Sequence, residues 1–334
     1  MSVPHRAPTL GDVARVAGVS KSTASRVLNG GAPVSDDLRT RVEAVSQSLG
    51  YVSHQAAQAL RGRRIAVTML VSDPRRAPIA LQASGMEAAA RRAGVLANVV
   101  VVGPDLSRHA STIRALRQLR PRALILNYVE RAPLEVRPEL EAFEREGGRV
   151  VSLGGLEDDY VSVRFDDDAS GALMGRHLLE LGRSRFAVVT AAHPSHTARV
   201  EALLEVLADA GIDRASVPVR VCGVSAEEGR MAARALSRLD PPPDVIYVAA
   251  DAIAVGVIAG LREVGLRVPE DVAVGSNDGL PVAAAVDPPL TTVALDFAGA
   301  GRVALGMALD DDAPREHRHL PGRLLVRAST QIAG

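Results

Sequence analysis

Apolar residues in the first fifty positions recur at helical spacing in three short bursts. Leu10, Val13, Ala14 and Ala17 make one stripe, and Ala24, Val27 and Leu28 make a second. Leu38, Val42, Val45 and Leu49 make a third, at i, i+4, i+7 and i+11. Between the first two, Gly18-Val19 reads as a helix stop followed by a buried plug, and Ser20 as the cap of the next helix. Gly30 to Pro33 is a loop. Ser35 is placed to cap the third helix, with Asp36 and Asp37 in a first turn where the dipole favours acid, and Gly50 ends it. Tyr51 and Val52 are expected to close a core shared by the three. Two short helices joined by a tight glycine turn are a helix-turn-helix, whose second helix suits the major groove. The outer face of that helix carries Lys21, Ser22, Ser25, Arg26 and Asn29, donors with little apolar bulk. A surface helical hairpin shows the same stripes, so periodicity alone leaves both readings open.

From Ile65 the pattern changes. Continuous apolar runs, such as IAVTMLV (65–71), VLANVVVV (95–102), ALIL (123–126) and RVVSL (149–153), alternate with helical stretches that stop at Gly94, Pro121 or Gly147. After Val161–Phe165 the rhythm restarts: FAVVT (186–190), VPVRV (217–221), VIYVA (245–249) and DVAVGS (271–276), with helices over 168–181, 197–210, 226–239 and 252–264. One more helix (297–309) and the strand RLLVR (323–327) follow. Runs apolar on both faces are buried parallel strands, and the alternation means sheets covered by helices on both sides. Two blocks in series predict two doubly wound subdomains, with ligands held outside the carboxyl ends of the strands, in a cleft.

Charge sharpens the division. Residues 1–64 hold nine Lys and Arg against four Asp and Glu, whereas the remainder holds 30 against 35, although the whole chain sums to +0. A basic head on a mildly acidic body suits a nucleic-acid reader joined to something that does not bind nucleic acid. Between them, residues 53–62 are helix-compatible but too short to be stable alone. Leu60, flanked by Arg61, Arg63 and Arg64, has the make-up of a minor-groove wedge. A single cysteine, Cys222, excludes an internal disulfide; the amino end lacks the apolar core of a signal peptide, and no run is long enough for a membrane helix. A cytoplasmic protein is expected.

The run T-L-x-D-V-A-x-x-A-G-V-S-x-x-T-x-S-R-V-L-N (9–29) resembles the lactose-repressor (LacI/GalR) family of bacterial transcription regulators, with Ala24 in place of the usual valine. HLLELG (177–182), GLRVPEDVAV (265–274), DPPLTTV (287–293) and RAST (327–330) extend the resemblance over nearly the whole chain. It implies an all-α three-helix helix-turn-helix head (1–52), a hinge helix and linker (53–64), and an α/β periplasmic-binding-protein-like body (65–334) of two doubly wound parallel-sheet subdomains. The first subdomain would comprise about 65–163 plus 294–320 and the second about 164–293 plus 321–334, with the chain crossing between them near 163–166, 291–295 and 320–323. Lys21, Ser22 and Arg26 would then face base edges. Thr23, Ser25 and Asn29 would anchor on phosphates, Thr9 would also bind DNA, and Ala57 and Leu60 would reach the minor groove. Ser53 stands where the pattern has proline.

For the cleft, the resemblance implies an effector site from Ser72, Asp73, Phe165, Asp166, Arg199, Asp251 and Asn277, with Asp278 beside it in the polar pair that ends a strand. A polyhydroxylated ligand fits such residues: Arg199 offers a fork of donors, and Asp251 and Asp166 accept. Each also has a plainer role, Asp251 as a helix cap, Arg199 as a solvated helix charge and Asp166 to Asp168 as an acidic loop. Aromatic residues are 2% of the chain, and the loop 72–79 has none. A cleft without stacking platforms points to a smaller or non-sugar metabolite, or to weak sugar binding.

No phosphate loop, nucleophile elbow or paired-cysteine spacing appears, and His317 and His319 are expected in a polar connection, so neither enzyme nor metal or cofactor site is expected. The expected partners are a double-stranded palindromic operator, a small-molecule effector and a second copy of the chain, with no membrane. The rival is a small-molecule-binding protein without DNA function, which would have no use for residues 9–61.

Overall fold

The computed structural model describes residues 8–28, 34–49, 67–103, 105, 107–127, 135–154, 160–310, 312 and 316–331. Asn29, Ala57 and Leu60, with the expected hinge helix and the Tyr51-Val52 plug, lie outside them. The chain divides into two units, Met1–Ile65 and Ala66–Gly334.

In the first unit, α1 (Leu10–Ala17) starts with a capping box: the Thr9 hydroxyl accepts from the Asp12 amide while the Asp12 carboxylate takes the Thr9 N–H at 2.9 Å. Gly18 ends it in the left-handed region at φ 67°, which a side chain would strain. α2 (Lys21–Leu28) opens with the Thr23 amide donating to Ser20 Oγ at 3.0 Å. α3 (Asp36–Ser48) follows Ser35, which takes the extended N-cap backbone without making the side-chain cap bond that its position suggests. Val13, Ala14, Ala17, Ala24, Val27 and Val42 form the core, and Val19 plugs its edge.

The second unit contains two six-stranded sheets. The first runs in the order β11-β5-β4-β3-β1-β2: β1 Val67–Val71, β2 Ala97–Val101, β3 Ala123–Asn127, β4 Arg149–Leu153, β5 Val161–Phe165 and β11 His317–Leu320, all parallel. The second runs β12-β10-β9-β8-β6-β7: β6 Phe186–Thr190, β7 Val219–Val221, β8 Val245–Val248, β9 Ala273–Asp278, β10 Thr291–Ala294 and β12 Arg323–Leu325, the last antiparallel to β10. The helices are α4 Ala77–Arg92, α5 Ser107–Leu119, α6 Arg137–Arg145, α7 Asp167–Leu179, α8 Pro194–Asp209, α9 Ala226–Leu236, α10 Asp251–Glu263, α11 Pro281–Ala285 and α12 Phe297–Leu309.

The inner strands read as unbroken apolar runs because successive side chains enter different cores. Val67, Met69 and Val71 of β1 pack with residues of α4 and α12; Leu70 packs on the other face with residues of α5 and α6. In the second sheet, Ile246 and Val248 join the core of α9 and α10, and Val245 and Tyr247 that of α7 and α8. The pairs α4 with α12, α7 with α8, and α9 with α10 close over glycine. A Cβ at Gly171 in α7 would fall inside the Arg199 carbonyl, and one at Gly256 in α10 inside that of Ala226. These contacts let backbones touch and hold the pairs in one register.

Three connections join the lobes. Asp166 links β5 of the first sheet to α7 of the second lobe. Leu295-Asp296 links β10 to α12, which packs on β3, β4 and β5, and Pro321-Gly322 links β11 to β12. His317 and His319, expected in a polar connection, instead lie in β11, an edge strand paired in parallel with β5; His317 Nδ1 is 2.9 Å from Ser162 Oγ.

Candidate functional site

Two places gather polar chemistry. The first is α2. Lys21, Ser22 and Arg26 are exposed, and Thr23 and Ser25 are half-buried beside them. Ser20 Oγ lies 2.8 Å from Ser22 Oγ and 2.7 Å from Thr23 Oγ1, so three hydroxyls cluster at the helix start. That cluster, with the first-turn amides and Lys21, is suited to a phosphate. Thr9 is held locally: its hydroxyl donates to Asp12 Oδ2 at 2.6 Å and its N–H goes to the same carboxylate.

The second is the carboxyl end of the second sheet. Arg199 sits in the second turn of α8, 3% exposed. Its Nε donates to Asp167 at 2.7 Å, and its Nη1 donates to Asp278 at 2.9 Å and to the Ala249 carbonyl at 3.0 Å. A buried guanidinium between two carboxylates is held well above its ordinary pKa by Asp278 and Asp167, against the opposing effect of burial. Burial raises Asp167, which Arg199 only partly offsets. It pushes Asp278 up to about 7, with Arg199 opposing and Asp251 reinforcing the rise. Two carboxylates therefore share one guanidinium in a dry place.

Asp251 is fully buried. It accepts from Ser276 Oγ at 2.6 Å, Thr292 Oγ1 at 2.8 Å and the Leu280 amide at 2.7 Å. The expectation that it accepts from an effector therefore gives way to a bracing role, tying the start of α10 to β9 and β10. Asp166 likewise caps α7, accepting from the Ala169 amide at 3.1 Å, and Asp167, the next residue, reaches Arg199 instead. Asn277 is fully buried at the end of β9; its Oδ1 accepts from Tyr247 at 2.9 Å and its Nδ2 has no hydrogen-bond partner. Asp278 follows at φ 115°, a region that disfavours side chains, and is tethered because Leu295 N donates to its carbonyl at 3.1 Å. Phe165 is half-buried and meets Phe297 edge-on at 5.0 Å. In the loop after β1, Ser72 and Asp73 are half-buried, and Asp73 pairs with Arg75 at 3.0 Å, which holds its carboxylate below the usual range.

Sequence reasoning singled out neither His193 nor His196. His193 caps α8, its Nδ1 accepting from the Ser195 amide at 3.3 Å. His196 is 4% exposed, its ring 4.9 Å from that of His193, and its Nδ1 has no hydrogen-bond partner. Burial first, then the charges of Arg76 and Arg199, lower His193 to about 4; burial, Arg199, His193 and Arg76 lower His196 to about 3. Among the described residues no cluster of three His, Cys, Asp or Glu could hold a metal, and no helix is long and apolar enough to cross a membrane.

Two family models match the chain. "Bacterial regulatory proteins, lacI family" covers residues 9–54, and "Periplasmic binding protein-like domain" covers 176–330. The HTH-type transcriptional regulator reg1 of Streptomyces lividans is 31% identical over 344 residues, 97% of each chain. The HTH-type transcriptional regulator CelR of Thermobifida fusca is 31% identical over 302 residues, 86% of this chain and 87% of its own. Among solved structures, the Lac repressor dimer bound to operator and the anti-inducer ONPF superposes with a TM-score of 0.85 at 25% identity, over 98% of this chain and all of that one.

Proposed function

Because the chain belongs to the lacI family of bacterial regulatory proteins, whose members are DNA-binding transcription regulators, we propose that it represses transcription as a homodimer on a palindromic operator and is controlled by a small-molecule effector in the cleft of its body. The observation that carries this reading is the pairing of the two sites in one chain: an exposed donor face on α2 over a closed three-helix core, and a buried, partly unsatisfied polar cluster at the strand ends of the body.

In this reading Lys21, Ser22 and Arg26 read base edges and Thr23, Ser25 and Asn29 hold phosphates, while Ala57 and Leu60 enter the minor groove at the operator centre. Arg199 and Asn277 face the effector, Asp251 and Asp166 position the elements around them, and Thr9 fixes the start of α1 in the head. The second copy is supported by both outer strands. Leu96, Val99 and Val101 at β2, and Val219, Val221 and Val224 at β7, are 41–65% exposed. Exposed apolar residues at one edge of each sheet suit an isologous interface. Action on an operator places the protein in the cytoplasm.

Selection of bound sequences from random duplex DNA tests the reading. An inverted repeat should emerge, its affinity should fall steeply with salt, and Arg26→Ala should relax its sequence preference. Leu60→Ala should weaken the specific site more than random DNA. Failure to enrich any repeat would reject operator recognition.

A further inference from the structure

We propose that Gln82 of α4 and Asn127 at the end of β3 hold the effector from the first lobe, and that the part of the effector meeting them is uncharged, a hydroxyl or a carboxamide that accepts and donates at once; this rests on the reading that the cleft takes an effector at all.

Asn127 is the last residue of β3, an inner strand, at the carboxyl end where ligands bind in such sheets. It stands opposite Val71, so the loop carrying Ser72 and Asp73 starts beside it. Its side chain follows that of Ile125 by two residues and shares its face of the sheet, the one covered by α4. There Asn127 Nδ2 donates to Oε1 of Gln82, in the second turn of α4. Asn127 is 5% exposed and Gln82 7%. That bond leaves Gln82 Nε2 as a donor and Asn127 Oδ1 as an acceptor. Neither has a partner among the described residues, and neither is sealed from solvent. A brace buried to this degree spends its polar atoms on the protein, as Asp251 does on Ser276, Leu280 and Thr292. The amide pair keeps one donor and one acceptor unspent.

Its place in the body brings it to the second lobe. Leu81, the preceding residue, packs with Phe165, Leu280, Leu295 and Phe297. Leu280 lies two residues beyond Asp278, which is bound by Arg199. Leu295 belongs to the second connection between the lobes. One apolar cluster therefore joins α4 to the end of β9, with the amide pair adjoining it on the first lobe and Asn277-Asp278 adjoining it on the second.

The charges at this junction do not call for an ion. Arg199 is outnumbered by Asp167 and Asp278, so it exerts no net pull on an anion. In the loop after β1, Asp73 is balanced by Arg75. At the amide pair itself, a carboxylate or phosphate oxygen takes the Gln82 donor and strands the Asn127 acceptor, and an ammonium does the reverse. A hydroxyl or a carboxamide uses both. Since the loop 72–79 offers no aromatic platform, hydrogen bonds of this kind take the place of ring stacking in fixing the ligand.

The experiment is calorimetric titration of the full-length protein with neutral probes and their charged counterparts: glucose with glucuronate, glucosamine and glucose 6-phosphate; ribose with ribose 5-phosphate; cellobiose with cellobionate; nicotinamide with nicotinate. At least one neutral probe should saturate, and should bind about tenfold or more tighter than its charged counterparts. The sugar and nicotinamide arms separate the hydroxyl from the carboxamide. Gln82→Glu keeps the acceptor that Asn127 uses and replaces the free donor by an acceptor, and should weaken that probe about tenfold or more. Gln82→Met keeps the volume, removes both polar atoms and should weaken it likewise, with the unliganded Tm checking that each variant folds. Saturable binding that a folded Gln82 variant leaves unchanged, or saturable binding by charged probes alone, overturns the role of the amide pair and leaves the effector cleft standing. Absence of saturation by every probe overturns both.

Discussion

Replacing Arg199 with methionine separates its structural role from any contact with ligand. Arg199 is 3% exposed and makes three hydrogen bonds, to Asp167, Asp278 and the Ala249 carbonyl. Methionine fills a similar volume and leaves two buried carboxylates facing an apolar chain. Deleting one partner of a buried ion pair costs about 3–5 kcal/mol, since the remaining charge is stranded in a dry place. A stability deficit of about 4 kcal/mol near pH 7.5 follows for the unliganded protein. The deficit depends on pH with a defined sign. Burial holds Asp278 up to about 7 even with Arg199 beside it, and holds Asp167 above its ordinary value. Without the guanidinium both rise further, so the native state binds more protons than the unfolded chain. Stability is then greatest below the unfolded carboxylate range near 4 and is lost as pH rises through the native values. Urea unfolding followed by circular dichroism at pH 7.5 and pH 5 measures this. The deficit should shrink at pH 5, and adding Asp278→Asn should restore part of it at pH 7.5. A deficit below about 1 kcal/mol at pH 7.5, or one equal at both pH values, would falsify the charged-triad account.

Two further outcomes follow from packing. Gly256→Ala drives a methyl into the Ala226 carbonyl, so the urea midpoint should fall by about 1–3 kcal/mol in stability, whereas Gly306→Ala, whose new Cβ meets nothing, should be neutral or stabilising. The double variant Val101→Asp and Val221→Asp places charge on both exposed outer strands, twice each in a symmetric pair; sedimentation should show the dimer weakened by about a hundredfold or more, and an unchanged dimer would move the interface elsewhere.

The head was legible because its information is local. Thr9 and Asp12 are three residues apart, Gly18 needs its left-handed backbone, and every stripe residue meets a partner within one small core. The body's inner strands were legible for the same reason, as each announces itself by a two-sided apolar run. What escaped was register and long-range pairing. In Asp166-Asp167-Asp168 the helix starts one residue earlier than composition suggests. Asp166 therefore caps it and Asp167 takes Arg199, an outcome settled by contact with α8, 32 residues away. Asp251 suits either a ligand or a brace by residue type, and only Ser276, Leu280 and Thr292, 25 to 41 residues on, make it a brace. Residues 317–320 look like a polar loop because an edge strand keeps exposed side chains; β5 alone supplies its partner. His193 and His196 had a signal in the HPSH run at a strand-to-helix turn, where ligands bind in such folds, but spacing did not show that one Nδ1 would lack a partner.

The polar cluster lies where the lobes are joined, and this bears on how a ligand could act. Asp167 is the first residue of α7 after the first connection. Asp278 is tethered to Leu295 in the second, and Thr292, bonded to Asp251, also accepts from the Gly279 amide at 3.2 Å beside it. A displacement of the Arg199 guanidinium therefore acts on both connections within one hydrogen bond. A group on the far lobe, in contrast, gains a bond only when the lobes approach. Changing operator affinity a hundredfold needs about 2.7 kcal/mol of differential binding between two body conformations. One charge-assisted hydrogen bond contributes about 1.5–3 kcal/mol, so one or two such bonds to the far lobe, made in one conformation alone, are sufficient. A ligand held wholly by the second lobe would bind and regulate nothing, because it would favour neither conformation. On this reasoning a residue of the first lobe has to contact the ligand if binding is to regulate.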